Sequence, residues 1–336
     1  MTLVLRERPR RGPGPQRRVL VLVLPDVHLQ DLAGPVQVLD EASEFCPGYR
    51  LVYCSTAARV RSAQGLVLAD LSPLPEPRAD DLVLVPGVAV KALDRVPIPR
   101  EWLHRAAVSG ARLASVCSGA YILASAGLLD GRRCTTHWIL IDRLRREFPR
   151  ASVLDGRLFV VDGNVTTSAG MSSGIDMALA MLEEHHGPLV TARVAREMVV
   201  YLRRNGDEQQ HSVYLDHRTH LNPGVHRVQD FIVANSDQKM SMAQLARIAA
   251  MSPRNLSRVF HRAAGVTPKQ FANRVKIQVA RDLLHDPQRS VSSIASSCGF
   301  DDARQLRRLW RRSFGVSIAD YRARSNARSR GSEEEA

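Results

Sequence analysis

Residues 17–25 read RRVLVLVLP, two arginines followed by an unbroken apolar run that Pro25 ends. A short run without polar alternation predicts a strand buried on both faces. GPVQVLDEASEF (34–45) has apolar positions at helical spacing and predicts a helix with Pro35 in its first turn. Further strands are expected over YRLVYCST (49–56), DDLVLVPG (80–87) and ARLASVC (111–117). Helices are expected over REWLHRAAVSG (100–110) and from Ser118 to about Ala126. DGRLFVVDGNVTTS (155–168) predicts a hairpin near a sheet edge, and 173–187 and 188–204 predict two closing helices. Apolar strands alternating with helices place this region in the α/β class, with a parallel sheet covered on both faces. Ligands bind such sheets at the carboxyl ends of the strands. Cys117, Gly87 and the stretch from Asp26 to Asp31 all fall there.

The polar segment RNGDEQQHSVYLDHRTHLNPG (204–224), with Asn-Gly and Pro-Gly breaks, interrupts this pattern. Beyond it the chain repeats itself, SMAQLARIAAMSPRNLSRVFHRAAG (241–265) matching SVSSIASSCGFDDARQLRRLWRRSFG (290–315). In the first copy Ser241 and Gln244 have capping-box spacing and open a short helix carrying Leu245 and Ile248. Ala250-Met251 turns the chain, Ser252 and Pro253 begin a second helix, and Gly265 ends it. Leu256, Val259 and Phe260 form its inward face, leaving Arg254, Asn255, Arg258 and Arg262 outside. In the second copy Ile294 and Ala295 are apolar, Gly299-Phe300 turns, and Asp301 or Asp302 caps. Leu306, Leu309 and Trp310 pack, while Arg304, Gln305, Arg307, Arg308 and Arg311 remain outside. Two short helices around a tight turn, the second rich in arginine, make a helix-turn-helix. Arg with Asn or Gln suits guanine and adenine edges, and further arginines suit phosphates. PKQFANRVKIQVARDLLHDP (268–287), with Phe271, Val275, Val279 and Leu283 at every fourth position, predicts one stiff helix between the copies. Such a helix would set the two readers on successive faces of the major groove, about 34 Å apart.

Charge agrees with this division. Residues 1–18 carry six arginines and one glutamate, and 227–324 carry eighteen basic against seven acidic side chains. The stretch between, 19–226, is near neutral at 21 against 23, and the whole chain nets +13. A basic carboxyl third beside a near-neutral region implies a polyanion partner for the former and a different one for the latter. The leader is rich in Pro, Gly and Arg, and the apolar run after it is too short for a signal-peptide core or a membrane span. Five cysteines, at 46, 54, 117, 134 and 298, are odd in number and contain no Cys-x-x-Cys pair. Neither a disulfide framework nor a metal site is expected, and a reducing cytoplasm fits.

The candidate chemistry lies in ASVCSGAYILASAGLLDGRRCTTHW (114–138). Ser115-x-Cys117-x-Gly119 places small residues two before and two after the cysteine, as the sharp strand-to-helix turn of a nucleophile elbow requires. That turn sets the sulfur at a helix N-terminus, where the dipole favours thiolate. The N–H of Ser118, with that of Gly87 or Val88, is expected to cradle an anion. His137 and Asp31 are the candidate imidazole and carboxylate. The ordinary role of a lone cysteine, a small buried hydrophobe, is the competing reading.

LASVCSGAYILASAGLLDGRRCTTHW, QDLAGPVQVLDEA, LVLVPG and VTTSAGMSSGIDMAL together resemble the PfpI-like branch of the type 1 glutamine amidotransferase-like fold, over residues 19–200. The resemblance implies a flavodoxin-like parallel sheet with Cys117 as elbow cysteine, His137 as its partner, Asp31 facing the sulfur and Gly87 on the oxyanion side. In that loop the family often has two glycines, and here the second is Val88, whose side chain narrows the approach to the sulfur. Residues 225–324 resemble the all-α DNA-binding domain of the AraC/XylS family, most specifically in IASSCGFDDARQLRRLWRRSFGVSIADYR. Ile318 stands where proline is usual, and Leu306 where Phe is common. The combination resembles the GlxA-type branch of AraC-family regulators.

The expected layout is a disordered basic tail (1–18), a PfpI-like domain (19–204), a linker (205–224), an AraC-type DNA-binding domain (225–325) and a disordered tail (326–336). The expected function is that of a sequence-specific transcriptional regulator whose α/β domain senses a small molecule, dimerises, or both. The alternative is a cysteine-dependent hydrolase or hydratase that also binds DNA. Expected partners are operator DNA, an effector, a second copy of the chain and RNA polymerase. No cofactor, metal or membrane is expected.

Overall fold

The computed structural model describes residues 16–200, 203–206, 208, 210, 217–284, 286 and 288–323. The chain divides into two compact units, 1–210 and 211–336. Most of the basic leader and all of the 326–336 tail lie outside the described residues.

The first unit is built on a six-stranded sheet. Its strands are β1 (Arg17–Leu22), β2 (Tyr49–Cys54), β5 (Leu82–Val85), β6 (Arg112–Val116), β9 (Phe159–Asp162) and β10 (Val165–Ser168), in the order β2-β1-β5-β6-β10-β9. All neighbours pair parallel except β9, which pairs antiparallel with β10 and forms one edge. The expected edge hairpin is therefore present. Two minor pairs, β3 (Val60–Arg61) with β4 (Val67–Leu68) and β7 (Arg133–Cys134) with β8 (Ser152–Val153), stand outside this sheet.

Continuous apolarity in the strands follows from their two buried faces. Val19, Val21, Leu82, Leu84, Ala114 and Val116 face a layer made by α1 (Leu29–Ala42) and α5 (Ser172–Glu197). Leu20, Leu22, Val83, Val85 and Leu113 face the opposite layer, made by α2 (Arg100–Val108), α3 (Gly119–Ser125) and α4 (Ile141–Glu147). Trp102 of α2 is among the largest fully buried side chains, and its indole N–H reaches the Pro75 carbonyl at 2.7 Å.

Four expectations need correction. The 1–18 tail ends too late: Arg17 and Arg18 open β1, as the strand reading of 17–25 had it, pairing in register with Tyr49 and Arg50 while Arg18 forks onto buried Asp81 at 2.6 and 2.8 Å. Pro35 lies inside α1 and not in its first turn, since the helix opens after His28 and runs through the proline. The ring removes the N–H that would have met the Asp31 carbonyl and crowds that carbonyl, a cost the helix bears. The closing helices are two legs of α5 broken at Gly187 (φ 76°), and the second ends at Glu197, short of 204. Val199, at φ 55°, turns the chain, and Arg204 then returns to buried Asp176 at 2.6 Å. Part of the expected linker also packs on the first unit, the Leu158 N–H donating to the Gly206 carbonyl at 2.9 Å.

The second unit is helical: α6 (Pro223–Ala234), α7 (Met242–Ala249), α8 (Pro253–Ala264), α9 (Pro268–Leu283), α10 (Val291–Ser297) and α11 (Ala303–Phe314). Each of these six helices starts on a side chain that accepts from the third helical N–H. Asn222, Ser241, Ser252, Thr267, Ser290 and Asp302 do so, and Thr267 with Gln270 closes a full capping box. Gly265 and Gly315 end the two arginine-rich helices in the left-handed conformation. The apolar stripe expected along α9 is split between two cores. Phe271 and Val275 join Leu245, Leu256 and Phe260, whereas Ile277 and Ala280 join Ile294, Leu306 and Trp310. Val279 and Leu283 only pack against that second core, half-buried. A repeat of four overruns a 3.6-residue turn, so one stripe cannot keep facing one core.

Candidate functional site

Cys117 sits between β6 and α3 with φ at 56°, a left-handed conformation that non-glycine residues adopt at a cost. Its neighbours show why the turn needs small residues. A Cβ on Gly119 would lie 2.1 Å from the Val85 carbonyl oxygen and 3.3 Å from the Ser115 Cβ. The turn is held by the Cys117 N–H donating to the Ser168 carbonyl at 3.0 Å and the Thr136 hydroxyl donating to the Cys117 carbonyl at 2.8 Å.

Asp31, Cys117 and Ser118 converge on the Cα of Gly87. A Cβ there would lie 2.5 Å from Asp31 Oδ2, 2.9 Å from Cys117 Cβ and 3.0 Å from Ser118 Oγ. Gly170 closes the other side, where a Cβ would come within 2.6 Å of Cys117 Cβ and 3.0 Å of its Sγ. Asp31 is fully buried, and its Oδ1 accepts from the Met171 N–H at 2.7 Å. Oδ2 has no well-aligned donor and faces the thiol. His137 is half-buried and accepts weakly from the Ile139 N–H in the turn that follows it. Its positive form steadies the Asp31 carboxylate, as does that of His28. Exposed Trp138, Ile139 and Met171 are the immediate chain neighbours of these groups.

Two chemical expectations change. Burial and then the Asp31 charge favour the thiol over the thiolate at Cys117, and the Ser118 N–H offsets only part of this. Burial also raises the proton affinity of Asp31, against the Met171 N–H. The anion cradle is altered as well. The Val88 N–H already donates to Ser118 Oγ at 2.7 Å, and that hydroxyl donates back to the Val88 carbonyl at 2.7 Å. Gly170, Met171, Thr136 and His28 were not singled out by sequence reasoning, although Gly170 and Met171 lie in the VTTSAGMSSG stretch that carried the resemblance. No group of three or more His, Cys, Asp or Glu able to hold a metal ion occurs among the described residues.

In the second unit Arg254, Arg258 and Arg262 are exposed on α8, opposite buried Leu256 and Phe260. Arg304, Arg307, Arg308 and Arg311 are exposed on α11, opposite buried Leu306 and Trp310. Asn255 is half-buried and accepts from Arg258 at 2.9 Å. Gln305 is partly committed to the helix start, since its Oε1 accepts from the Asp301 N–H at 2.8 Å. Of the two candidate caps, Asp302 is the one used, accepting from the Gln305 N–H at 2.6 Å. Arg312, exposed one turn beyond Arg308, was not anticipated. It lies four residues after Arg308, on the face that helical periodicity already marks as outward.

Residues 17–184 match the DJ-1/PfpI family, and residues 245–324 match a helix-turn-helix domain. The chain is 30% identical over 323 residues to the HTH-type transcriptional regulator GbdR of Pseudomonas aeruginosa, covering 93% of this chain and 86% of that one. It is 28% identical over 225 residues to the HTH-type transcriptional regulator GlxA of Rhizobium meliloti, covering 67% and 69%. The first unit alone resembles the isonitrile hydratase of Pseudomonas putida, 32% identical over 182 residues, which is 54% of this chain and 76% of the enzyme. Among solved structures, a ThiJ/PfpI family protein from Pseudomonas syringae superposes with a TM-score of 0.50 at 22% identity, over 63% of this chain and 85% of that one. That likeness concerns the fold.

Proposed function

Because the chain belongs to the DJ-1/PfpI family and joins that domain to an AraC-type helix-turn-helix domain, making it a DNA-binding transcriptional regulator, we propose that its cysteine pocket recognises an effector and does not turn over a substrate. The observation that carries this reading is the burial of the thiol against Asp31. Cys117 is buried to 7% exposure against a carboxylate that opposes its ionisation. A nucleophile needs its thiolate. A buried thiol and a carboxylate oxygen with no well-aligned donor instead offer one donor and one acceptor, which suits reversible recognition of a small polar molecule.

In this reading the effector contacts Cys117, Asp31, Gly87 and His137, and its preference for one arrangement of the protein alters operator affinity or polymerase recruitment. Arg254, Asn255, Arg258 and Arg262 read one stretch of the major groove, and Arg304, Gln305, Arg307, Arg308 and Arg311 the next. A homodimer would bring four reading helices to one operator and raise affinity through effective concentration. A cytoplasmic location follows from the DNA partner. No helix among the described residues is long and apolar enough to cross a membrane.

The enzyme reading keeps one specific support, the likeness of the first unit to a hydratase. Cys117→Ala separates the two. Loss of effector response, with no turnover of isonitriles or esters even by the parent, supports recognition. Intact regulation with loss of a measurable parental turnover makes the domain an enzyme.

A further inference from the structure

The two halves of the second unit have separate cores, and α9 belongs to both. Val275 lies in the first core and Ile277 in the second, with Lys276 between them. Lys276 is only 7% exposed, a degree of burial that lysine rarely tolerates without partners for its donors. Its Nζ donates to the Gln238 carbonyl at 2.9 Å and to the Gly299 carbonyl at 2.6 Å. Gln238 lies in the link ahead of the first helix-turn-helix, and Gly299 is the turn of the second. The ammonium also stands 5.8 Å from the centre of the Phe300 ring.

Gly299 has φ at 63°, and a Cβ on it would lie 2.5 Å from the Asp237 carbonyl oxygen and 2.7 Å from Lys276 Nζ. Backbone therefore meets backbone across the seam, with the buried ammonium bonded to both sides. A cavity of about 390 Å³ opens beside it, lined by Met240, Leu245, Ala272, Asn273 and Phe300 among others. A second link across the seam, Lys239 to Asp301 at 2.7 Å, is mostly exposed and contributes little.

We infer that Lys276 is a positioning residue for DNA recognition, tying the link before the first reader to the turn of the second and so fixing the register in which α8 and α11 meet one duplex. The inference rests on the DNA-binding reading. Joined readers gain over single ones only when both fit at once, so a loosened seam lowers the effective concentration of the second. Methionine at 276 would fill the space of the lysine stem but leave both carbonyls without their donor.

The test uses the full chain and a duplex that the parent selects from a randomised pool. It also uses the same duplex with one base pair inserted between the two protected blocks, and each block alone. The parent should lose about tenfold or more in affinity on the insertion. Lys276→Met should bind the selected duplex about tenfold more weakly and discriminate little against the insertion, while its affinity for each single block stays parental. Lys276→Arg, which keeps a buried donor, should retain part of the discrimination. Parental discrimination by Lys276→Met overturns the inference, and so does an equal loss on single blocks, which marks a merely structural residue. Should Lys276→Met fail to fold, as circular dichroism would reveal, Gly299→Ala probes the same seam with the same two outcomes. Failure of the parent to select any duplex defeats the DNA-binding reading itself.

Discussion

Gly87→Ala isolates the crowding at the cysteine pocket. The residue does not occupy the left-handed region that favours glycine, so alanine there costs nothing in backbone conformation and its effect is steric. The new methyl would meet Asp31 Oδ2 at 2.5 Å, Cys117 Cβ at 2.9 Å and Ser118 Oγ at 3.0 Å. None of the three yields easily. Asp31 is held by the Met171 N–H, Cys117 by a strained turn, and Ser118 by two hydrogen bonds to Val88. Overpacking of this kind costs about 1–3 kcal/mol. For a unit of this size each kcal/mol lowers the melting temperature by about 2–4 °C, so the first unit should melt about 2–12 °C earlier in calorimetry. In an Asp31→Ala background the closest obstacle is gone, and the penalty should shrink by at least about 0.5 kcal/mol. Parental melting of Gly87→Ala, or an identical penalty in both backgrounds, would refute the geometry.

Asp31→Asn removes the charge that opposes the Cys117 thiolate, so iodoacetamide at pH 8 should alkylate the Cys117 peptide faster than in the parent. Mass spectrometry reads the rate, and no acceleration would mean that burial alone controls the thiol. Arg254→Ala and Arg304→Ala should relax base preference at a cost of about 1–3 kcal/mol each, whereas Arg311→Ala should weaken selected and random duplexes alike. Equal losses from all three variants on both DNAs would defeat that division of labour. His185 is kept neutral by burial and by the guanidiniums of Arg17 and Arg112, which lower its pKa from 6.5 to about 3. Between those two values the unfolded state binds the extra proton, so stability present above pH 6.5 is lost as pH falls toward 3. His185→Gln should flatten the urea-unfolding slope with pH in that window, and an unchanged slope would remove His185 from the account.

Elements that contact two layers were readable because their central residues face a core on both sides and are apolar without alternation, as in Val19–Leu22 of β1 and Leu82–Val85 of β5. The two-residue strands β3, β4, β7 and β8 are too short for any period to register. Pro35 misled for a definite reason. Proline is favoured at a helix start, yet α1 begins earlier and absorbs it, since Gly34 and Pro35 lie against Ile175 and Gly174 of α5. That preference reflects tertiary packing and leaves no trace in the local pattern. The helix-turn-helix copies were legible almost residue by residue, because Ser241, Ser252, Asp302, Gly265 and Gly315 act within three or four positions of themselves. Lys276 shows the opposite case. Its neighbours Val275 and Ile277 read as core, and only the folded seam shows why a lysine stands between them.

The pocket divides along the same line. Ser115, Cys117 and Gly119 announce a sharp turn because the steric demand falls on adjacent residues. The partners that decide what the sulfur does come from far along the chain: Asp31 takes its hydrogen bond from Met171, 140 positions away. Val88 was noticed for its side chain, but its N–H matters more, since Ser118 already occupies it. The spacing therefore suggested a nucleophile, where burial and Asp31 favour the thiol over the thiolate. A helix start offers about half a charge to one side of the sulfur. Burial removes water from nearly every side and the Asp31 carboxylate opposes the thiolate further, so the larger effect is the one that no motif encodes.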